Sequence, residues 1–234
     1  MSSGVFRRKE IKYVLSSKQY NTLIKRIKSN LEKDIYHKSS IYNIYFDTDN
    51  YDLIVHSIDK PIYKEKVRLR SYSIPSLDSN VFLEIKKKYN GIVGKRRISI
   101  KLSDFYDYIN TGKFNSDDKQ IKSEIDYCFK LYNLKPKLFL AYDRTSYHEK
   151  GNIDFRITFD KNIRSREDNL RLEYGDIGDK LFDDNVVIME IKALNSYPLW
   201  FTSILSELKI YPTSFSKYGT VYTNKIKEEL EYVW

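Results

Sequence analysis

The chain has 234 residues, with 41 Lys and Arg against 32 Asp and Glu for a net charge of +9. Its 41% hydrophobic content, with 12 Phe and 21 Tyr, is enough for a sizeable core and excludes a disordered chain. No apolar run approaches the roughly 18 residues of a spanning helix, and none follows Arg7, Arg8 and Lys9 to make a secretory signal, so a cytoplasmic globular protein with no direct membrane insertion is expected.

The lone cysteine, Cys128, excludes an internal disulfide, a Cys-rich zinc site and an iron–sulfur cluster. Cys128 is expected to pack as a small hydrophobe. His37, His56 and His148 are too scattered for a zinc-ligand motif, and they are expected in surface or loop roles. The excess of positive charge calls for an anionic partner, whose kind depends on where the cations lie.

Only 5 Pro and 8 Gly punctuate the chain, and no Ser/Gly-rich linker divides it, which predicts a single domain over 1–234. In chain order, a first strand is predicted near 5–14. Leu23, Ile24, Ile27 and Leu31 then recur at helical spacing behind a Ser16 or Ser17 cap, giving a helix near 17–33. Alternation predicts strands at 40–47, 62–73, 80–89 and 94–102, with Asn90-Gly91 as a hairpin signal inside a connection longer than two residues. Ser103 opens a short helix, with Phe105 and Ile109 inward, that ends by Gly112. Ile121, Ile125, Cys128, Phe129 and Tyr132 stripe another that stops before Pro136. Strands follow at 137–147, 153–160 and 186–193, with a surface turn at Gly175-Asp176-Ile177-Gly178. Pro198 starts a helix running through Leu208, and a last one spans about 219–230. About eight strands joined mostly by hairpins, with helices between, make an antiparallel α+β architecture.

The polar positions of these strands are unusual. Like charges opposite one another weaken a ladder, yet Lys64, Lys66, Arg68 and Arg70 share one face of their strand, opposite Val67 and Leu69. Glu84, Lys86 and Lys88 oppose Val81, Leu83 and Ile85, and Lys95, Arg97 and Ser99 oppose Ile98 and Ile100. The pattern returns at Arg8-Lys9-Glu10-Ile11-Lys12, Tyr142-Asp143-Arg144, 155–160 and Met189-Glu190-Ile191-Lys192. Folding alone does not ask for seven strands of this kind. A cation-lined surface suits a triphosphate or a linear polyphosphate, because guanidinium forks grip phosphate oxygens and Lys adds mobile charge. The carboxylates Glu10, Glu84 and Glu190 are either counter-ions that hold the cations or ligands for a divalent ion shared with phosphate; Glu190 is the candidate for the metal, and Glu10 and Glu84 for orientation. Gly91-Ile92-Val93-Gly94-Lys95-Arg96 lacks the spacing and the Ser/Thr of a phosphate-binding P-loop, and it joins two strands.

In order along the chain, 6–13, Tyr45-Phe46-Asp47-Thr48, 63–72, 81–88, Gly94-Lys95-Arg96-Arg97, Tyr142-Asp143-Arg144, 155–160, Met189-Glu190-Ile191-Lys192 and Ser214-Phe215-Ser216-Lys217-Tyr218-Gly219 resemble the polyphosphate polymerase domain of the vacuolar transporter chaperone (VTC) family, within the triphosphate tunnel (CYTH-like) superfamily. That resemblance implies an eight-stranded antiparallel β-barrel tunnel with helices packed around it. It also implies an ATP-dependent polyphosphate polymerase, which transfers the γ-phosphate of ATP to a growing chain with Mn2+ or Mg2+.

Carried over residue by residue, the catalytic set is Lys12, Arg68, Arg70, Lys86, Arg144, Arg156 and Glu190, with Glu190 at the metal. Arg8, Glu10, Glu84, Lys95, Arg97, Tyr142, Ser216 and Lys217 contact or orient substrate, with Tyr142 near the nucleotide. Hydrolytic relatives resemble E-x-E-x-K at the first strand, where this chain has Arg8-x-Glu10-x-Lys12; the missing carboxylate argues against hydrolysis. No segment resembles the inositol-phosphate sensor or membrane domains of fungal VTC subunits, so export is expected to need a membrane-protein partner. ATP and inorganic polyphosphate or pyrophosphate are the expected ligands, not nucleic acid. Two other readings stay open: a tripolyphosphate or nucleoside triphosphate hydrolase, and a non-catalytic polyanion-binding module.

Overall fold

A computed structural model describes residues 9–90, 92–183, 185–194 and 196–231, with Lys9 and Glu229 described by backbone alone. Its strands are β1 (Lys9–Ser16), β2 (Leu31–Asp47), β3 (Tyr63–Ser71), β4 (Asn80–Tyr89), β5 (Ile92–Lys101), β6 (Lys135–Glu149), β7 (Asn152–Arg166), β8 (Asp179–Lys180) and β9 (Val186–Ala193). Its α-helices are α1 (Ser17–Ile27), α2 (Asp52–Ile58), α3 (Leu102–Thr111), α4 (Lys119–Tyr132), α5 (Leu199–Glu207) and α6 (Lys217–Glu231). The strands form one sheet in the order β1-β9-β7-β6-β2-β3-β4-β5, with β8 paired to β7 off this path. This is the expected mixed α+β class with a large antiparallel sheet. Among the described residues the order is an open path of eight strands with β8 as a ninth beside β7, where the resemblance implied a closed barrel of eight. Among the described residues no helix is long and apolar enough to cross a membrane.

The chain divides into two compact units, each built from three separate segments. The first unit takes 1–40, 142–163 and 180–216. Its core joins Tyr13 and Leu15 of β1, Leu23 and Ile27 of α1, Phe155, Ile157 and Phe159 of β7, and Met189 and Ile191 of β9 with Phe201 and Leu205 of α5. The second unit takes 41–141, 164–179 and 217–234. Its core sets Ile44, Phe46, Val67, Leu69, Leu83, Ile85, Ile98 and Ile100, one face of β2 to β5, against Phe105 and Tyr108 of α3 and Ile125 and Cys128 of α4. In both units the alternation buries one strand face in apolar contacts, which leaves the opposite, charged face to be accounted for.

Local chemistry explains where the elements start and stop. Ser16 Oγ accepts from the Gln19 N–H at 3.2 Å while the Ser16 N–H donates to the Gln19 side chain at 3.1 Å, a capping box that opens α1. The helix expected to continue to 33 instead ends at Ile27. A 3-10 turn over Lys28–Asn30 follows, and β2 begins at Leu31. Ile27 and Leu31 enter the same core, so apolar spacing ran through the turn unbroken. α2 was not expected, because seven residues are too few to establish a helical period. Its start is set by Asp47, whose carboxylate accepts from the backbone N–H groups of Leu53 and Ile54 at 2.9 and 3.0 Å. Between β4 and β5 the last described pair is Tyr89 with Ile92, a closer pairing than expected, and Gly91 of the expected hairpin signal lies outside the described residues. Asn90 there takes a positive φ of 44°, as tight hairpin turns require.

The segment 175–178 is more than a surface turn. Arg164 donates to the Asp176 carboxylate at 2.7 Å. A Cβ at Gly178 would stand 2.6 Å from the Ser165 carbonyl oxygen, so only glycine permits that approach. Cys128 is buried as expected, and its thiol also donates to Glu65 at 3.5 Å. Burial, followed by the Glu65 charge, pushes that thiol up to about 12, which leaves it unreactive. The three histidine rings each sit about 3 Å from a backbone carbonyl, of Ser146, Tyr63 and Glu149 respectively.

Candidate phosphate-binding faces

In the second unit, the face of β2 to β5 opposite the core is cationic, and strand register stacks it in rows. Tyr45, Arg68, Glu84 and Arg97 stand opposite one another across four strands, and Lys66, Lys86 and Lys95 form the neighbouring row across three. Lys64 faces Lys88 one step further. Directly opposed like charges cost a ladder stability, so rows of lysine side by side are not explained by the fold.

Glu84 is the counter-ion of this face. Its side chain is 1% exposed; Arg68 meets it through Nε and Nη2 at 2.8 Å each, Lys95 Nζ at 2.6 Å and Arg70 Nε at 3.9 Å. Burial alone would raise the Glu84 pKa, but the charges of Arg68, Arg70 and Lys95 outweigh it and bring it down to about 2. Arg70, itself buried, donates to Asn43 Oδ1 at 2.9 Å. Arg97 is exposed and stacks over the Phe82 ring at 4.6 Å. Lys86 is half-buried in its row.

A second arrangement of the same kind occupies the first unit. Register places Lys12 and Thr158 on either side of Glu190, and Glu10 and Arg156 on either side of Lys192. Glu190 is buried, with Lys192 Nζ 2.7 Å from its Oε1. Burial opposes its ionisation, yet the charges of Lys192, Lys12 and Arg144 hold it well below the usual carboxylate range. Lys12 Nζ donates to the Phe215 carbonyl at 3.1 Å. Arg144 makes a two-pronged contact with the fully buried Asp160, at 2.6 and 2.8 Å, and packs over the buried Tyr142 ring at 5.2 Å. Desolvation is outweighed by Asp160, so the guanidinium is held firmly charged.

Arg156 is exposed and turns toward Asp34 at 3.7 Å. Ser216 and Lys217, both half-buried, lie just before and at the start of α6. Arg8 lies outside the described residues.

The structure therefore brings Arg68, Arg70 and Lys95 together around Glu84, and Lys12 and Arg144, with Lys192, around Glu190, so that each carboxylate serves three cations. Sequence reasoning missed Asn43, Tyr45 and Asp160 as partners of the arginines and gave Lys192 no separate role. The signal was present for two of them: Asn43 and Tyr45 share parity with Asp47 in the buried C-terminal part of β2, a polar series on one face.

Among the described residues no three His, Cys, Asp or Glu side chains are grouped to hold a metal ion. Glu190, with Glu10 at the diagonal position on the same face, is not a self-contained divalent site. This donor set fits an ion that brings phosphate oxygens as its remaining ligands, the usual manner for Mg2+.

Comparison with known proteins gives a consistent picture. The VTC domain family matches residues 7–224. Vacuolar transporter chaperone complex subunit 4 of Schizosaccharomyces pombe is 24% identical over 224 residues, covering 77% of this chain and 31% of that protein; the chain spans about a third of the length of that relative. The crystal structure of a candidate adenylate cyclase from Bacillus halodurans superposes with a TM-score of 0.55 at 14% identity, covering 90% of this chain and 95% of the other. That likeness is one of fold.

Proposed function

The chain belongs to the VTC domain family, and from that premise we propose that it is an ATP-dependent polyphosphate polymerase, acting as a single domain in the cytoplasm and passing product to a membrane-protein partner. The observation that carries the reading is the lateral row of Lys66, Lys86 and Lys95 beside the row of Arg68, Glu84 and Arg97. A sheet that sets cations in register is built to be completed by an anion with evenly spaced charges, and a phosphate chain has them.

In this reading Lys12, Arg68, Arg70, Lys86, Arg144 and Arg156 neutralise and align the phosphates. Glu84 and Glu190 keep the cations compensated and oriented until substrate arrives, and Asp160 does the same for Arg144. Glu10, Lys95, Arg97, Tyr142, Ser216 and Lys217 make further contacts with nucleotide or chain. The terminal phosphate of the acceptor is already anionic at neutral pH and is its own nucleophile, so transfer needs placement and charge more than a base. Glu190 would hold the divalent ion jointly with phosphate oxygens, and that ion would add charge neutralisation at the transferring group.

Ligand-linked stability tests the binding half of this reading. Saturating tripolyphosphate, at about 100 times its Kd, should stabilise the protein by about 2.7 kcal/mol and raise the melting midpoint by roughly 5 to 10 °C for a chain of this size. Single-stranded DNA of matched charge should shift it far less. No shift with tripolyphosphate contradicts the reading outright, and an equal shift with DNA contradicts it in favour of a general polyanion binder.

A further inference from the structure

Tyr45 and Asp47, on the cationic face of β2, have no part in the phosphate contacts described above. Asp47 is fully buried, a costly place for a carboxylate. The described donors to it are all neutral: the backbone N–H groups of Thr48, Leu53 and Ile54, and the Tyr218 hydroxyl of α6 at 3.0 Å. Those three N–H groups suffice to start α2, so the Tyr218 bond serves another end. It holds the Tyr218 ring against Tyr45, with centroids 5.1 Å apart and planes tilted by 32°. Tyr45, buried in turn, receives a hydrogen bond from Arg68 Nη1 at 3.2 Å. The opposite edge of the same guanidinium lies on Glu84. Arg68 is thus gripped from both sides, by an acid across the ladder and by a phenol backed by α6.

We propose that Tyr45 is a positioning residue that fixes the Arg68 guanidinium for phosphate, and that the Tyr218–Asp47 pair seats Tyr45 by holding α6 against it. The proposal rests on the phosphate-binding reading of Arg68. Tyr45 also makes the grip sensitive to pH. The groups around it are Arg68, Arg70 and Lys66 of β3, Glu84 of β4 beyond Arg68, Tyr218 of α6, and Asp47 on its own strand. Burial would raise the phenol, but Arg68, Arg70 and Lys66 outweigh it and lower it to about 8. Above that pH a phenolate competes with phosphate for Arg68.

Calorimetric titration of tripolyphosphate at pH 7 and pH 9 tests this, using wild type, Tyr45→Phe, Tyr218→Phe and the double variant, with melting midpoints in parallel. Loss of one hydrogen bond of ordinary net strength predicts that Tyr45→Phe binds about 3- to 10-fold more weakly at pH 7. It should also lose less affinity than wild type between pH 7 and pH 9. Tyr218→Phe should weaken binding by a smaller factor, and the double variant should be no weaker than Tyr45→Phe alone, because the two act in series. Wild-type affinity and pH response in Tyr45→Phe overturn the proposal while leaving the phosphate reading intact, and so do losses that simply add in the double variant. Absence of tripolyphosphate binding by wild type overturns both. If Tyr45→Phe is unfolded, Tyr218→Phe decides: unchanged affinity and pH response in a folded variant overturn the proposal.

Discussion

Replacing Arg68 by alanine should reduce ATP-dependent polyphosphate formation by about 100-fold or more, the usual cost of removing one preorganised group that stabilises transition-state charge. Arg68 is singled out because its guanidinium is held along both edges. Two of its nitrogens rest on Glu84 at 2.8 Å and a third on Tyr45 at 3.2 Å, so its orientation is set before substrate binds. The loss should fall on turnover more than on folding, because Glu84 keeps Lys95 at 2.6 Å and Arg70 at 3.9 Å. Arg68→Lys should recover only part of the activity, since an ammonium restores charge without the planar fork. Steady-state rates beside melting midpoints check this, and a wild-type rate in Arg68→Ala contradicts it.

Replacing Glu84 by glutamine should act in the opposite way, mainly on stability. Three cations around a side chain that is 1% exposed would lose their common counter-ion, and removing one partner of a buried ionic cluster costs about 3 to 5 kcal/mol. The acid limb of the wild-type stability curve should carry the same signature. The folded-state pKa of about 2 lies below the ordinary 4.5, a difference equivalent to about 3 kcal/mol. That contribution is complete above pH 4.5 and drains away as pH falls toward 2. Glu84→Gln should therefore be destabilised by about 3 kcal/mol at pH 7, and the gap to wild type should close on acidification. Denaturant unfolding at pH 7 and pH 3 measures both, and a constant gap would mean that Glu84 is not the counter-ion.

How far the sequence could be read depended on range. Period-two alternation placed eight of the nine strands, though it missed the first half of β2, the end of β7 and the two-residue β8, and the parity that hid Val67 and Leu69 in the core also put Arg68 and Arg70 on the other side. Helix ends were less visible. Leu31 kept helical spacing with Ile27 yet begins β2, because a 3-10 turn returns the side chain to the same core. The cationic face was legible because its charges repeat within each strand. Their partners were not, because pairing depends on register between strands: Arg144 meets Asp160 from the next strand, and Arg70 meets Asn43 from the strand before. Glu84 was expected to orient cations, but which ones it meets across β3 and β5 depended on the same register. Asp47 stood in a recognisable motif, but its partner Tyr218 is 171 positions away, beyond any local pattern.

The central claim is that phosphate enters these faces as ATP and leaves in a chain. Incubation of the purified protein with γ-labelled ATP and Mn2+, followed by electrophoretic sizing of acid-labile product, tests it directly. The account predicts labelled chains that lengthen with time, are degraded by an exopolyphosphatase and are nearly absent with Arg68→Ala. Labelled orthophosphate as the sole product would make the protein a hydrolase, and no turnover of ATP would contradict the account altogether.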